Sequence, residues 1–299
     1  MHVFVTGATG LIGNALCAAL LAAGHRVTAL SRSSSPAGLP AGARSVQGDP
    51  AAVGAWQEAL AACDACVNLA GEPVAAGRWT GERKRRIRDS RVEATRRVAE
   101  VVAARGPSVL VSGSAVGYYG PRGDEPLDEM ATPGDDFLSG VCKEWEAAAL
   151  GAASRARVVT VRTGLVLATQ GGALPRMLLP FRFFGGGPIG KGEFWQSWIH
   201  LADEVALFLW ALEDAAVAGP LNATAPNPAL NRDLARTIGR VLHRPSALPV
   251  PELGLRLLFG ELSSVLTTGQ RVLPKKAADL GFRFRFPELE PALRDLLAS

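Results

Sequence analysis

The stretch His2-Val3-Phe4-Val5-Thr6-Gly7-Ala8-Thr9-Gly10-Leu11-Ile12-Gly13 decides how this chain is read. Its first half is a short β-branched and aromatic run, the composition of a buried parallel strand. Its second half places glycine at every third position. Beyond it, Leu11, Ile12, Ala15, Leu16, Ala19 and Leu20 recur at helical spacing. Strand, glycine turn and helix in that order give a glycine triplet the meaning of a dinucleotide fingerprint. Gly7 allows the sharp turn, Gly10 lets a pyrophosphate approach the backbone, and Gly13 lets the helix pack close to the strand. Thr9, Leu11 and Ile12 complete the helix start, whose free N–H groups would face the phosphates. The spacing is GxxGxxG rather than the GxGxxG of the dehydrogenase form.

Outward from this unit, strand and helix keep alternating. A second strand is predicted over Arg26 to Leu30, ending in Ser31-Arg32. The end of the second strand is where such folds read the adenosine ribose. A carboxylate there would bind a free 2′-hydroxyl and repel a 2′-phosphate. None is present, and Arg32 offers a planar donor fork suited to phosphate, so NADP is expected over NAD. Ser45 to Asp49 reads as a third strand. Asp49 could hold the adenine amino group or cap a helix predicted from Ala51 to Leu60. Asp64 to Gly71 reads as a fourth strand and its exit, where Leu69, Ala70 and Gly71 leave room for a ribose. A long helix follows, Gly81 to Arg105. Its charge run Glu82 to Arg88 lacks interleaved aromatics and reads as a solvated face, not a nucleic-acid patch.

Val109 to Ser114 is a fifth strand with the hydroxyls of Ser112 and Ser114 toward its carboxyl end, the edge where open α/β sheets bind ligands. Pro121 to Asp136 reads as a loop, Phe137 to Ala153 as a helix, and Val158 to Arg162 as a sixth strand left through Gly164-Leu165. Six alternations predict a doubly wound parallel sheet, an α/β Rossmann fold. Later come a helix from Leu174 to Phe184, a short strand and helix over Ser197 to Leu212, a strand at Leu221 to Thr224, and a helical tail. Phe282 to Phe286 is the one extended candidate in that tail. Gly185 to Lys191 matches GxxxxGK, but it follows a helical segment and Gly192 stands where a P-loop needs Ser or Thr.

The 299 residues are 48% hydrophobic and 20% charged, the balance of a globular protein. The net charge of +4 is mild and spread along the chain, so nucleic acid is not an expected partner. No apolar run reaches 18 residues, and the first strand opens at His2, so neither a membrane span nor a signal peptide is expected. Cys63-x-x-Cys66 has no second pair, which favours structural thiols and a cytoplasmic location. Four scattered histidines give no metal-ligand spacing.

Gly7-x-x-Gly10-x-x-Gly13, Asp49, Leu69-Ala70-Gly71, Ser114, Tyr118-Tyr119-Gly120 and Trp198-Ile199-His200-x-x-Asp203 resemble the extended short-chain dehydrogenase/reductase superfamily, of the NAD-dependent epimerase/dehydratase type. Val67 to Glu72, Ser90-Arg91, the block Met177 to His200 and Gly281 to Leu297 look closer to its sugar-nucleotide-epimerase-like branch. The resemblance implies NADP, with Ser31, Arg32, Leu69, Ala70 and Arg91 near it. It implies a Rossmann domain over 1–170, with 197–225 returning to it. A smaller, mostly helical substrate-facing part would come from 171–196 and 226–299. It implies a small-molecule substrate of carbonyl or sugar type, and a monomer or a homodimer paired through the two long helices. The superfamily moves protons with a Tyr and Lys in YxxxK. No YxxxK exists here. Aligning on Lys143 puts Ser139 at the Tyr position; aligning on Glu146 puts Leu138 and Cys142 at the pair. Ser114, Tyr118 and Lys143 remain as catalytic candidates. Two functions stay open: an oxidoreductase or epimerase-like enzyme of altered mechanism, and a non-catalytic NADP(H)-binding protein.

Overall fold

The β-branched runs pair into one seven-stranded parallel sheet, seen in a computed structural model that describes residues 1–298. Its strands are β1 (His2–Thr6), β2 (Arg26–Ser31), β3 (Arg44–Gln47), β4 (Ala65–Asn68), β5 (Val109–Ala115), β6 (Arg157–Thr163) and β7 (Gly219–Ala223). The spatial order is β7-β6-β5-β4-β1-β2-β3. Chain direction across the sheet reverses between β1 and β4, and crevices at such switch points take ligands at the strand carboxyl ends.

Both faces of the sheet are covered, which is why β1, β4 and β5 are buried on both sides rather than on alternate residues, with their buried polar side chains gathered toward the carboxyl ends. On one face lie α1 (Leu11–Ala22) and α6 (Leu201–Glu213); Leu16, Leu20, Leu207 and Phe208 pack there on Val3, Val5 and Val67. On the other lie α2 (Trp56–Ala61), α3 (Gly81–Arg105) and α4 (Phe137–Leu150), with Trp56, Val98, Val102 and Ala149 against Phe4, Cys66 and Leu110. A further core gathers Leu174, Leu178 and Phe181 of α5 (Leu174–Arg182), Leu234 and Ile238 of α7 (Asn231–Leu242), and Phe286 and Leu293 near the C-terminus, closed by Trp198.

The long helix begins and ends as the sequence predicts. Thr80 caps it, its hydroxyl accepting the Arg83 N–H at 3.1 Å. Thr80→Ala is expected to lower stability by about 1 kcal/mol in a urea melt, because that N–H loses its partner. Two expectations need correction. The helix predicted from Ala51 spans only Trp56–Ala61, since Asp49 and Pro50 open a turn in which Ala52 N–H bonds to the Asp49 carbonyl. Phe282 to Phe286 is not a strand. The N–H groups of Arg285 and Phe286 go instead to the two carboxylate oxygens of Asp203 at 2.8 and 2.9 Å. The extended pairing in the tail is Arg271–Val272, parallel to Pro126–Leu127 of the loop after β5. Among the described residues no helix is long and apolar enough to cross a membrane.

Candidate functional site

The glycine turn is built by exclusion of side chains. Gly7 sits at φ +66°, and a Cβ there would stand 2.5 Å from the Leu69 carbonyl oxygen. A Cβ on Gly13 would stand 2.2 Å from the Gly7 carbonyl oxygen, so α1 can approach β1 only with glycine at that position. Gly10 precedes the first helical residue with no side-chain cap, which leaves the α1 N-terminus facing the crevice with free N–H groups.

A buried polar network, unforeseen in the sequence, holds the two sides of the crevice in register. The Thr6 hydroxyl donates to Asn68 Oδ1 at 2.7 Å and accepts the N–H groups of Leu69 and Ala70, each at 3.1 Å. Asn68 Nδ2 donates to Thr95 Oγ1 at 2.7 Å and to Ser112 Oγ at 3.4 Å. Small polar residues at the ends of β1 and β4 are the one signal that could have pointed to it.

The crevice is a cleft of about 640 Å³. Gly7, Thr9, Gly10, Ser31, Arg32, Asp49, Leu69, Ala70 and Gly71 all line it, brought together from the first four strand ends. Arg32 is exposed, and among the described residues its guanidinium has no ion-pair partner. Asp49 lines the cleft and at the same time accepts the Ala51 N–H on Oδ1 at 3.0 Å. Leu11 and Ile12 open α1 beneath the turn. Arg91 stands behind Gly71: it donates from Nη1 to the Ile87 carbonyl, and its Cζ lies 5.3 Å from the Trp145 ring. Burial lowers its pKa. Ser112 lies wholly buried within β5. Gly164 and Leu165 leave β6 by bonding to the carbonyls of Ala223 and Ser197, which sets them beside the end of β7 and the short strand Trp198–His200 rather than in the cleft lining.

Beyond β5 and β6 the structure gathers a second polar cluster. Arg162 binds Glu146 with two bonds, Nε to Oε1 at 2.8 Å and Nη2 to Oε2 at 2.9 Å. Burial works against the guanidinium charge, but the hydrogen bonds and charge of Glu146 override it and raise its pKa. Arg162 Nη1 also donates to the Tyr119 hydroxyl, which donates to Asn222 Oδ1 at 2.7 Å. Burial pushes the Tyr119 phenol up to about 12. The Arg162 guanidinium sits over the Tyr118 ring, with 3.5 Å from Cζ to the ring centroid.

This cluster sorts the catalytic candidates. Ser114 is buried and donates its one proton to Glu146 Oε1 at 2.7 Å, so its hydroxyl turns toward α4 and not outward. Lys143 is solvent-exposed on α4 and takes no part in the cluster. Cys142 is buried, and burial pushes its thiol up to about 12, which keeps it protonated. Tyr118 is half-buried at the strand end. Cys63 and Cys66 are free buried thiols, both raised in pKa by burial.

The same architecture is found in known proteins. The model of the NAD dependent epimerase/dehydratase family matches residues 3–223, and residues 250–296 match a domain of unknown function. An Arabidopsis thaliana protein, the chloroplastic homolog of epimerase family protein SDR39U1, is 42% identical over 99% of this chain and 87% of its own length. Epimerase family protein YfhF of Bacillus subtilis is 40% identical, covering 100% and 99% of the two chains. The crystal structure of human epimerase family protein SDR39U1 with NADPH superposes with a TM-score of 0.89 at 37% identity, covering 100% of both chains. UDP-glucuronic acid 4-epimerase from Bacillus cereus shares the fold at 17% identity and a TM-score of 0.81. With the fold, the glycine turn and these matches in agreement, the chain belongs to the NAD-dependent epimerase/dehydratase family.

Proposed function

We propose that this protein binds NADP(H) across the switch point and acts as an oxidoreductase or epimerase-like enzyme on a carbonyl or sugar-type substrate, without a YxxxK pair. Arg32 carries the cofactor reading. It stands unpaired at the end of β2, on the wall of the cleft, and no carboxylate stands beside it in Ser31-Arg32-Ser33 to repel a 2′-phosphate. The human relative crystallised with NADPH supports the same choice. The glycine turn and α1 N-terminus would hold the pyrophosphate, Arg32 the 2′-phosphate, and Leu69 to Gly71 with Arg91 the part of the dinucleotide beyond the switch point. When bound, the nicotinamide supplies hydride transfer. Residues 1–170 with 197–225 would form the cofactor domain, and 171–196 with 226–299 the part that meets substrate.

The chain's own contribution is a proton and its placement. With Ser114 donating to Glu146 and Cys142 held as thiol, the Tyr118 hydroxyl is left to donate to a substrate oxygen. Arg162 fixes its ring, and no protein group among the described residues accepts from that hydroxyl.

A screen of ketones, aldehydes and nucleotide sugars for NADPH consumption tests this reading. The wild type is expected to turn over at least one class, and Tyr118→Phe to lose roughly 100-fold or more in kcat, the usual worth of a positioned acid. Tight NADPH binding with no turnover anywhere, unchanged by Tyr118→Phe, would instead establish a non-catalytic NADP(H)-binding protein. The pinned Ser114 proton is the observation that favours that second reading.

A further inference from the structure

The C-terminal half exposes an apolar belt that the cofactor site does not use. Phe183 and Phe184 end α5 at 76% and 57% exposure, and Leu253, Leu257 and Leu258 are 67–69% exposed. The helix Glu252–Phe259 that carries these leucines buries no residue at all. Its far end is tied down by polar contacts: Arg78 donates to the Leu257 and Leu258 carbonyls, and Lys84 pairs with Glu261 just beyond it. Leu248, itself exposed, bridges the two groups. Its N–H bonds to the Gly186 carbonyl just past α5, and Val250 pairs with Ile189. None of these side chains lines the dinucleotide cleft. Leu253 and Leu257 stand one helical turn apart and Phe183 adjoins Phe184, so these side chains are exposed in groups rather than scattered singly.

The charges around the belt point to what covers it. The segments 174–192 and 244–258 hold five cations, counting from Arg176: four are Arg176, Arg182 and Lys191 with Arg244, and Arg256 is the fifth. They hold a single carboxylate, Glu252. Among the described residues none of the five cations makes an ion pair. A second copy of the chain would fit badly, because a two-fold interface sets the same patch against itself and would bring these cations face to face. Phenylalanine and leucine tips interspersed with arginine are the composition of an interfacial element. The apolar tips enter the acyl boundary while the guanidinium groups stay among the headgroups.

We propose that the belt of Phe183, Phe184, Leu248 and the helix Glu252–Phe259 seats the protein on an anionic lipid surface. No spanning helix is needed for this. Each cation near such a surface adds about 1 kcal/mol of attraction, and the exposed leucines add the apolar part. Because the belt is separate from the cleft, the proposal stands or falls independently of NADP(H) binding.

Co-sedimentation of the full chain with vesicles tests it, comparing phosphatidylcholine alone with a mixture holding about a third phosphatidylglycerol. Wild type is expected to pellet with the anionic vesicles at low salt and to be released by about 0.5 M NaCl. Phe183→Ser with Leu257→Ser should weaken that binding more than about tenfold, and Arg182→Gln with Arg256→Gln should weaken it on anionic vesicles. All four positions are exposed, so melting temperature and NADPH affinity should not move. Three results would overturn the proposal: wild type left in the supernatant with anionic vesicles, the Ser variant pelleting as well as wild type, or a concentration-dependent dimer that the Ser variant dissolves while vesicles capture nothing.

Discussion

Glu146→Ala is expected to cost about 3–5 kcal/mol of folding stability, the usual penalty for removing one partner of a buried ion pair. Arg162 is 3% exposed, and its guanidinium fork is matched to both oxygens of Glu146. Without them a permanent cation stays buried between β6 and α4, with only the Tyr119 hydroxyl and the Glu129 carbonyl to satisfy it. The loss also frees the Ser114 hydroxyl, so the packing of β5 against α4 loosens at the strand ends. Urea unfolding of the variant and the wild type measures the difference. A loss below about 1 kcal/mol would show that the pair is hydrated rather than buried. The double variant Glu146→Leu with Arg162→Met should recover much of the loss, because paired apolar groups leave no charge uncompensated.

Glu204→Gln should remove most of the loss of stability that the wild type suffers at rising pH. Glu204 is wholly buried on α6, and burial pushes its carboxyl up to about 8 from 4.5. Thr163 donates to Oε1 at 2.7 Å, and Oε2 has no partner among the described residues. The unfolded carboxyl ionises near 4.5, while the folded one stays protonated until about 8. The unfolded state therefore gains from ionisation throughout that window. Stability present below about 4.5 falls as pH rises, by up to ~1.4 kcal/mol per pH unit. Over the whole window this amounts to roughly 3–5 kcal/mol. Melts at several pH values should show a steep fall for the wild type and a much shallower one for the glutamine variant, whose side-chain carbonyl still accepts from Thr163; Glu129, also raised by burial, keeps a residual slope in both. Parallel curves for the two proteins would mean that Glu204 does not titrate this way.

What the sequence made legible was local. The β1 run, the glycine turn and the α1 stripe determine one another through backbone geometry, so reading the first twenty or so residues located the cleft. The long helix was placed by its pattern, and the structure shows what bounds it: Thr80 caps its start and Gly106 follows its end. The rest depended on contacts between distant segments. Ser114 looked like a substrate hydroxyl until Glu146, 32 residues on, took its proton. Lys143 looked usable until α4 turned it to solvent. Thr6 carries no motif, yet it holds β1 to the β4 exit through three bonds. The segment Phe282 to Phe286 alternates like a strand, but Asp203 claims its N–H groups. For Ser114, Thr6 and Phe282 to Phe286, hydrogen-bond partners, which no periodicity encodes, decided the outcome; for Lys143 it was the face of α4 on which it falls.

Arg32 on the cleft wall is the residue proposed to meet the 2′-phosphate. The most direct measurement is a calorimetric titration of wild type and Arg32→Ala with NADPH and with NADH. A preference of wild type for NADPH is expected, and Arg32→Ala should lose about 1.5–3 kcal/mol of NADPH affinity, the worth of a hydrogen bond to a charged group, while NADH binding stays unchanged. Equal affinities for the two cofactors, indifferent to Arg32, would contradict the choice of NADP. Binding of neither would contradict the cofactor site itself.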